Sequence, residues 1–168
     1  MAFVMTLLLV LATTPFQSKI DQAFAAIQNN DWTAAASALD EASAEQPAMF
    51  AANNFHYLRG RIAESQGDWR RATQEFKQLQ ENNPLYPVAM WRSARASAKL
   101  HDDAATITSL SLLPRNFPHD LKLQLAQEAG GDIALRIYQD LATREARYER
   151  ARTQSDNAAL WRLIRENE

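Results

Sequence analysis

Three kinds of residue in this chain could do chemistry: histidines, carboxylates beside turns, and a run of arginines. His56, His101 and His119 lie far apart, and none has a second ligand four residues on, so the spacing that sets two imidazoles on one metal is missing. There is no cysteine, which removes thiolate zinc sites, cysteine nucleophiles, disulfides and lipidated cysteines together. No metal and no cofactor is expected. Asp31, Asp102 and Asp103 read as turn and cap residues rather than as an acid and base pair, because each falls where a helix begins. Gly130-Gly131-Asp132 lacks the lysine and the flanking strand of a phosphate-cradling loop and reads as a helix stop. Arg144, Arg147, Arg150 and Arg152 interleave with Glu145 and Glu149 at spacings that suit ion pairs along one helix. No catalytic residue emerges, and the chain is expected not to be an enzyme.

If no constellation carries a reaction, function rests on a surface and on the elements that hold it. The 168 residues, 46% apolar and 23% charged, suit one compact domain or a short repeat array. A net charge of -2 supplies no field that would gather nucleic acid or anionic lipid. Thirty alanines against 4 glycines, with few β-branched residues after residue 14, favour helix over strand. Residues 2–12, AFVMTLLLVLA, are too short to span a bilayer but have the length of a signal-peptide core. No lysine or arginine precedes that run, and Ala12-Thr13-Thr14-Pro15 matches a cleavage site poorly. A first helix carrying Phe3, Met5, Leu8 and Leu9, or a misplaced start within a longer leader, are the other readings of residues 1–14.

The rest of the chain repeats. Asp31-Trp32-Thr33-Ala34-Ala35 returns as Asp68-Trp69-Arg70-Arg71-Ala72, and Pro47 returns as Pro84, all at an offset of 37 residues. Pro84 to Pro118 is then 34 residues, with Thr106, Leu110 and Leu113 in the places of Ala72, Phe76 and Leu79. The unit is therefore 34 residues, with three inserted near Ala51. Units of about 16–49, 53–86 and 87–120 follow, then an irregular stretch over 121–168 in which 133–152 reads as one long helix and a last helix follows Ser155-Asp156. In the third unit His101-Asp102-Asp103 replaces the glycine and aromatic of the turn, so that turn is expected to be tighter or shifted by one.

A period of this length with these markers resembles the tetratricopeptide repeat. The second unit carries the likeness through Gly60, Ala63, Gly67, Asp68, Trp69, Ala72, Phe76, Leu79 and Pro84, and the first through Ala23, Ala26, Asn30, Asp31, Trp32, Ala35, Leu39, Ala42 and Pro47. The resemblance implies an all-α fold, helix-turn-helix repeats stacked as a right-handed superhelix, that is, an α-solenoid over 15–168. It also implies a concave groove lined by the first helix of each unit. The family's ligand-facing places fall here on Asn54, Tyr57, Arg61 and Glu64, and on Val88, Trp91 and Arg95. Tyr57 and Trp91 would offer flat contact area, and Arg61 and Arg95, one repeat apart, would pair with a carboxylate or a carbonyl. Packing of Tyr57 and Trp91 between helices is the competing reading.

A narrower likeness lies in Phe117-Pro118 and in the run from Ala134 to Leu141 and from Thr143 to Arg150, which resembles the helical superhelix of soluble lytic murein transglycosylases. Those proteins are periplasmic and carry a lysozyme-like catalytic domain that has no counterpart here. Glu64-Ser65 echoes the start of their catalytic signature, but the repeat register places it at a helix end and the following segment does not match. The expected function is a non-catalytic scaffold for a protein or peptide partner, with peptidoglycan or a cell-wall enzyme among the candidates, in the cell envelope if residues 1–14 act as a signal and in the cytoplasm otherwise. The alternative is the support of a transglycosylase acting on peptidoglycan. No nucleic-acid or metal partner is expected.

Overall fold

Helices are the only regular element among the described residues, 14–141 and 143–166, of the computed structural model. The reading of residues 1–13 as a leader or first helix lies outside them. In order the helices are α1 (Pro15–Gln28), α2 (Trp32–Glu45), α3 (Pro47–Ala52), α4 (Phe55–Ser65), α5 (Trp69–Phe76), α6 (Tyr86–Lys99), α7 (Asp103–Ser111), α8 (His119–Ala129), α9 (Gly131–Asp140), α10 (Arg144–Thr153) and α11 (Asn157–Arg165). The chain divides into two compact units, the first ending at Phe55 and the second running from His56. None of the described helices is long and apolar enough to cross a membrane.

In the first unit α1 and α2 lie against each other, and alanine sets how closely. Ala23 of α1 and Ala35, Ala38 and Ala42 of α2 are buried beside Phe16, Ile20 and Leu39. Small side chains let the backbones approach, and the larger ones fill what remains. Pro47 opens the short α3, where its missing N–H costs nothing. That helix sets Phe50 in the core, with Phe55 at 5.5 Å and Phe16 lying 6.1 Å from Phe55. Lys19 and Glu41 form an ion pair between α1 and α2.

The second unit holds two apolar clusters. One joins α4, α5 and α6 through Ala63, Ala72, Phe76, Leu79, Ala89, Met90 and Ala96. The other joins α6 to α8, α9 and α10 through Trp91, Ala94, Phe117, Leu125, Ile133, Ile137 and Tyr138, among others. Where α6 crosses α7 a polar pair is buried as well: the hydroxyls of Ser93 and Ser109 lie 3.1 Å apart.

One turn recurs four times. Asn30, Gly67, His101 and Ser155 each take a left-handed conformation, φ 58°, 75°, 55° and 55°. The next residue is an aspartate each time, and its amide bonds back to Ala26, Ala63, Ser97 or Ala151 at 2.9 to 3.0 Å. The four carboxylates of Asp31, Asp68, Asp102 and Asp156 then accept from the amides of Ala34, Arg71, Ala105 and Ala159 at 2.9 to 3.0 Å, capping the second helix of each pair. The third turn is thus neither tighter nor shifted: His101 holds the place of Gly67.

The single helix expected over 133–152 is corrected to two. α9 stops at Asp140, Leu141 is extended at φ -89° and ψ 92°, and the hydroxyl of Thr143 caps α10 by accepting from Ala146 at 3.2 Å. Once Thr143 offers that acceptor, the chain can restart in a new direction without orphaning the amide.

Candidate partner-binding groove

The polar side chains on the first helices of the second unit are connected to one another. On α4, Tyr57, Arg61 and Glu64 follow at helical spacing and so share a flank. Arg92 of α6 reaches back across to them: its Nε donates to the Tyr57 hydroxyl at 3.2 Å, and a terminal nitrogen donates to Glu64 Oε2 at 2.7 Å. Arg61 Nε stands 3.0 Å from the same oxygen. The Tyr57 ring rests on Phe76, centroids 5.8 Å apart, which fixes the height of its hydroxyl. Arg61 is 47% exposed, against 16% for Arg92 and 9% for Glu64, so it forms the outer layer of this cluster.

One turn further along α6, Arg95 donates to Glu128 of α8 at 2.5 Å, and Gln124 donates to the other carboxylate oxygen at 3.0 Å. Burial pushes the Glu128 carboxyl up, but the hydrogen bonds from Arg95 and Gln124, with Arg95 and Lys99 nearby, hold it below the usual carboxylate range. On the α5 side, Glu75 is held low in the same way. Burial raises it, and this is outweighed by His56 Nδ1 and Arg59 Nε, each 2.8 Å from one of its oxygens.

Of the expected groove residues, Tyr57, Arg61, Trp91 and Arg95 all belong to the second unit. Asn54, at φ 62°, lies in the first unit's last turn. Trp91 is 5% exposed and its indole nitrogen donates to the Leu121 carbonyl at 2.8 Å, so its ring face is spent inside the molecule. The guanidinium carbons of Arg92 and Arg95 lie 5.6 and 5.8 Å from the centroid of that ring, close enough for cation–π contacts. Trp91 thus packs between helices with two arginines beside its ring.

Arg92, which no repeat marker singles out, links α6 to α4 by hydrogen bonds. Counting places from Pro87, in the first turn of α6, puts Trp91, not Arg92, on the groove side. The sequence signal for Arg92 is slight: it stands three residues before Arg95 and seven before Lys99. Among the described residues no group of three or more histidines or carboxylates is arranged to hold a metal ion. Comparison with protein-family models and with curated protein sequences finds no match to this chain.

Proposed function

We propose that the chain is a non-catalytic helical-repeat scaffold of the tetratricopeptide-like, α-solenoid kind, whose second unit takes up a protein or peptide partner along α4, α6 and α8. The observation that carries the reading is the linked cluster of Tyr57, Arg61, Glu64 and Arg92, continued by Arg95 and Glu128. Its arginines are already oriented by a tyrosine, two carboxylates and an indole, so little side-chain freedom is left to lose on binding. Such groups suit an extended segment with alternating carbonyls and carboxylates. Affinity would rest on a few anchors, Tyr57, Arg61 and Arg95, and selectivity on the polar groups beside them. If residues 1–14 direct export, the partner belongs to the cell envelope.

The test is site-specific photocrosslinking in cells, with the photoreactive residue at position 61 or 95 and, as controls, at position 152 or 40. Distinct adducts from 61 and 95, absent from the controls and lost on Tyr57→Ala, are expected. Identical adduct patterns at all four positions, or none at 61 and 95, would sink the assignment.

A further inference from the structure

The recurring turn gives its four copies a common frame, and within that frame α11 differs from the other three helices. Four and eight places after the capping aspartate stand Ala35 and Leu39 in the first copy, Ala72 and Phe76 in the second, and Thr106 and Leu110 in the third. The first five are fully buried, and Leu110 is half-buried against an apolar cluster. In the fourth copy the same places hold Leu160, half-buried, and Ile164, 47% exposed, and Trp161 beside them is 61% exposed.

In the second and third copies a helix further along the chain helps to cover these places. α6 brings Ala89 and Met90 into the cluster of Ala72 and Phe76, and α9 brings Ala134 and Ile137 into the cluster on which Leu110 packs. Each covering helix sets an alanine beside a larger apolar side chain, so that the backbones approach and the gap is filled. No described helix does this for Trp161 and Ile164. Leu163, 6% exposed, already fills the inward side of α11. A helix with apolar residues on two sides has a second side to bury.

The charge beside this open face selects what fits it. Between residues 144 and 166 stand six arginines and four carboxylates. Arg162 and Arg165, on the Trp161 side of the stripe, donate to carbonyls of their own helix at 3.3 Å, and neither joins an ion pair among the described residues. A second copy of this chain would bring the same excess of positive charge against it, and like charges set face to face repel. A helix with carboxylates beside its apolar stripe meets arginines that have no carboxylate of their own.

We propose that the open face of α11 takes an amphipathic helix from a partner protein, with alanine and larger aliphatic residues on its apolar stripe and glutamate or aspartate along its edge. The partner helix stacks on Leu160, Trp161 and Ile164 as α6 and α9 stack on the earlier copies, and its carboxylates pair with Arg162 and Arg165. This face shares no residue with α4, α6 or α8, so it can fail without the groove, and the groove without it.

The test places benzoylphenylalanine at position 161 of the full chain, with position 132 as control, irradiates the cells that make the protein, and sequences the attached segment by mass spectrometry. An adduct from 161 alone is expected, on a helical segment with acidic residues flanking alanine and aliphatic positions, and it should survive Tyr57→Ala. That segment, made as a peptide, should gain helicity on titration with the full chain. Trp161→Ala with Ile164→Ala should weaken its binding by roughly tenfold or more, and Arg162→Gln with Arg165→Gln should weaken it and flatten its salt dependence. All four side chains are exposed, so both double variants should keep the parent's far-ultraviolet circular dichroism. Adducts to a second copy of this chain, to lipid or to a segment without that pattern, no adduct at 161, or peptide affinity unchanged in both variants would overturn the proposal.

Discussion

Gly60 has no room for a side chain: a Cβ built there would lie 2.6 Å from Phe76 Cε1 and 2.9 Å from Cδ1. Phe76 is fully buried and packed against the tilted ring of Tyr57, so it cannot swing away cheaply. Gly60→Ala is therefore expected to destabilise by about 1–3 kcal/mol despite alanine's better helix propensity, because overpacking outweighs the roughly 1 kcal/mol that propensity returns. Urea denaturation checks it, and an unchanged midpoint would refute the close crossing of α4 and α5. This residue was legible in the sequence because a glycine weakens a helix and is kept within a helical pattern where a neighbour leaves no space for a Cβ, and a phenylalanine stands sixteen residues on. Trp91 was not. A tryptophan at a groove-facing place can turn either way by a small helix rotation, and what decides it is the Leu121 carbonyl, thirty residues on, which the indole bonds.

At the scale of elements, the recurring turn separates what glycine does from what aspartate does. The aspartate caps the second helix in all four copies, while the residue before it bears the left-handed conformation. Only Gly67 bears it without a Cβ. A left-handed conformation costs an ordinary residue roughly 1–2 kcal/mol, and glycine's extra freedom in the unfolded chain costs roughly 0.4–1 kcal/mol. His101→Gly and Ser155→Gly should thus each stabilise by up to about 1 kcal/mol, and Asn30→Gly by less, since asparagine tolerates this region. Thermal melts of the three variants test the ranking; a loss at His101 would mean that its side chain contributes something the turn needs. A fixed period does not reach the fourth copy, because Asp156 lies 54 residues after Asp102, with α8 and α9 between them joined through a different turn at Gly130. The break before Thr143 was hidden for a similar reason: without glycine or proline to announce it, a threonine followed three residues later by alanine looks like any helical stretch.

Across the second unit, burial is distributed unevenly enough to order its stability. α6 buries seven residues, Ala89, Met90, Trp91, Ser93, Ala94, Ala96 and Ser97, and takes part in both apolar clusters. α10 buries Ala146 and Ala151, and α11 buries Leu163. On that last pair Tyr148, Trp161 and Ile164 are 44%, 61% and 47% exposed, so most of its large apolar area stays in water. Beyond Ala146, which joins the cluster of α6, α8 and α9, what holds it is polar and local: the Asp156 and Thr143 caps, the Arg144 bond to the Leu163 carbonyl at 2.8 Å, and the Arg152–Glu149 pair on one helix. Exposed pairs of that kind contribute under about 1 kcal/mol each, whereas a buried large apolar side chain contributes roughly 1.5–3 kcal/mol. α10 and α11 should therefore open together, at a free energy below that of global unfolding, while α6 exchanges only when the unit unfolds. Native-state hydrogen exchange is expected to show amides of α11 exchanging at least about tenfold faster than those of α6, a gap of about 1.4 kcal/mol. Raised salt should widen the gap by screening the α10 ion pairs. Equal protection in the two helices would mean that the end pair is held by more than its caps, its two buried alanines and its one buried leucine.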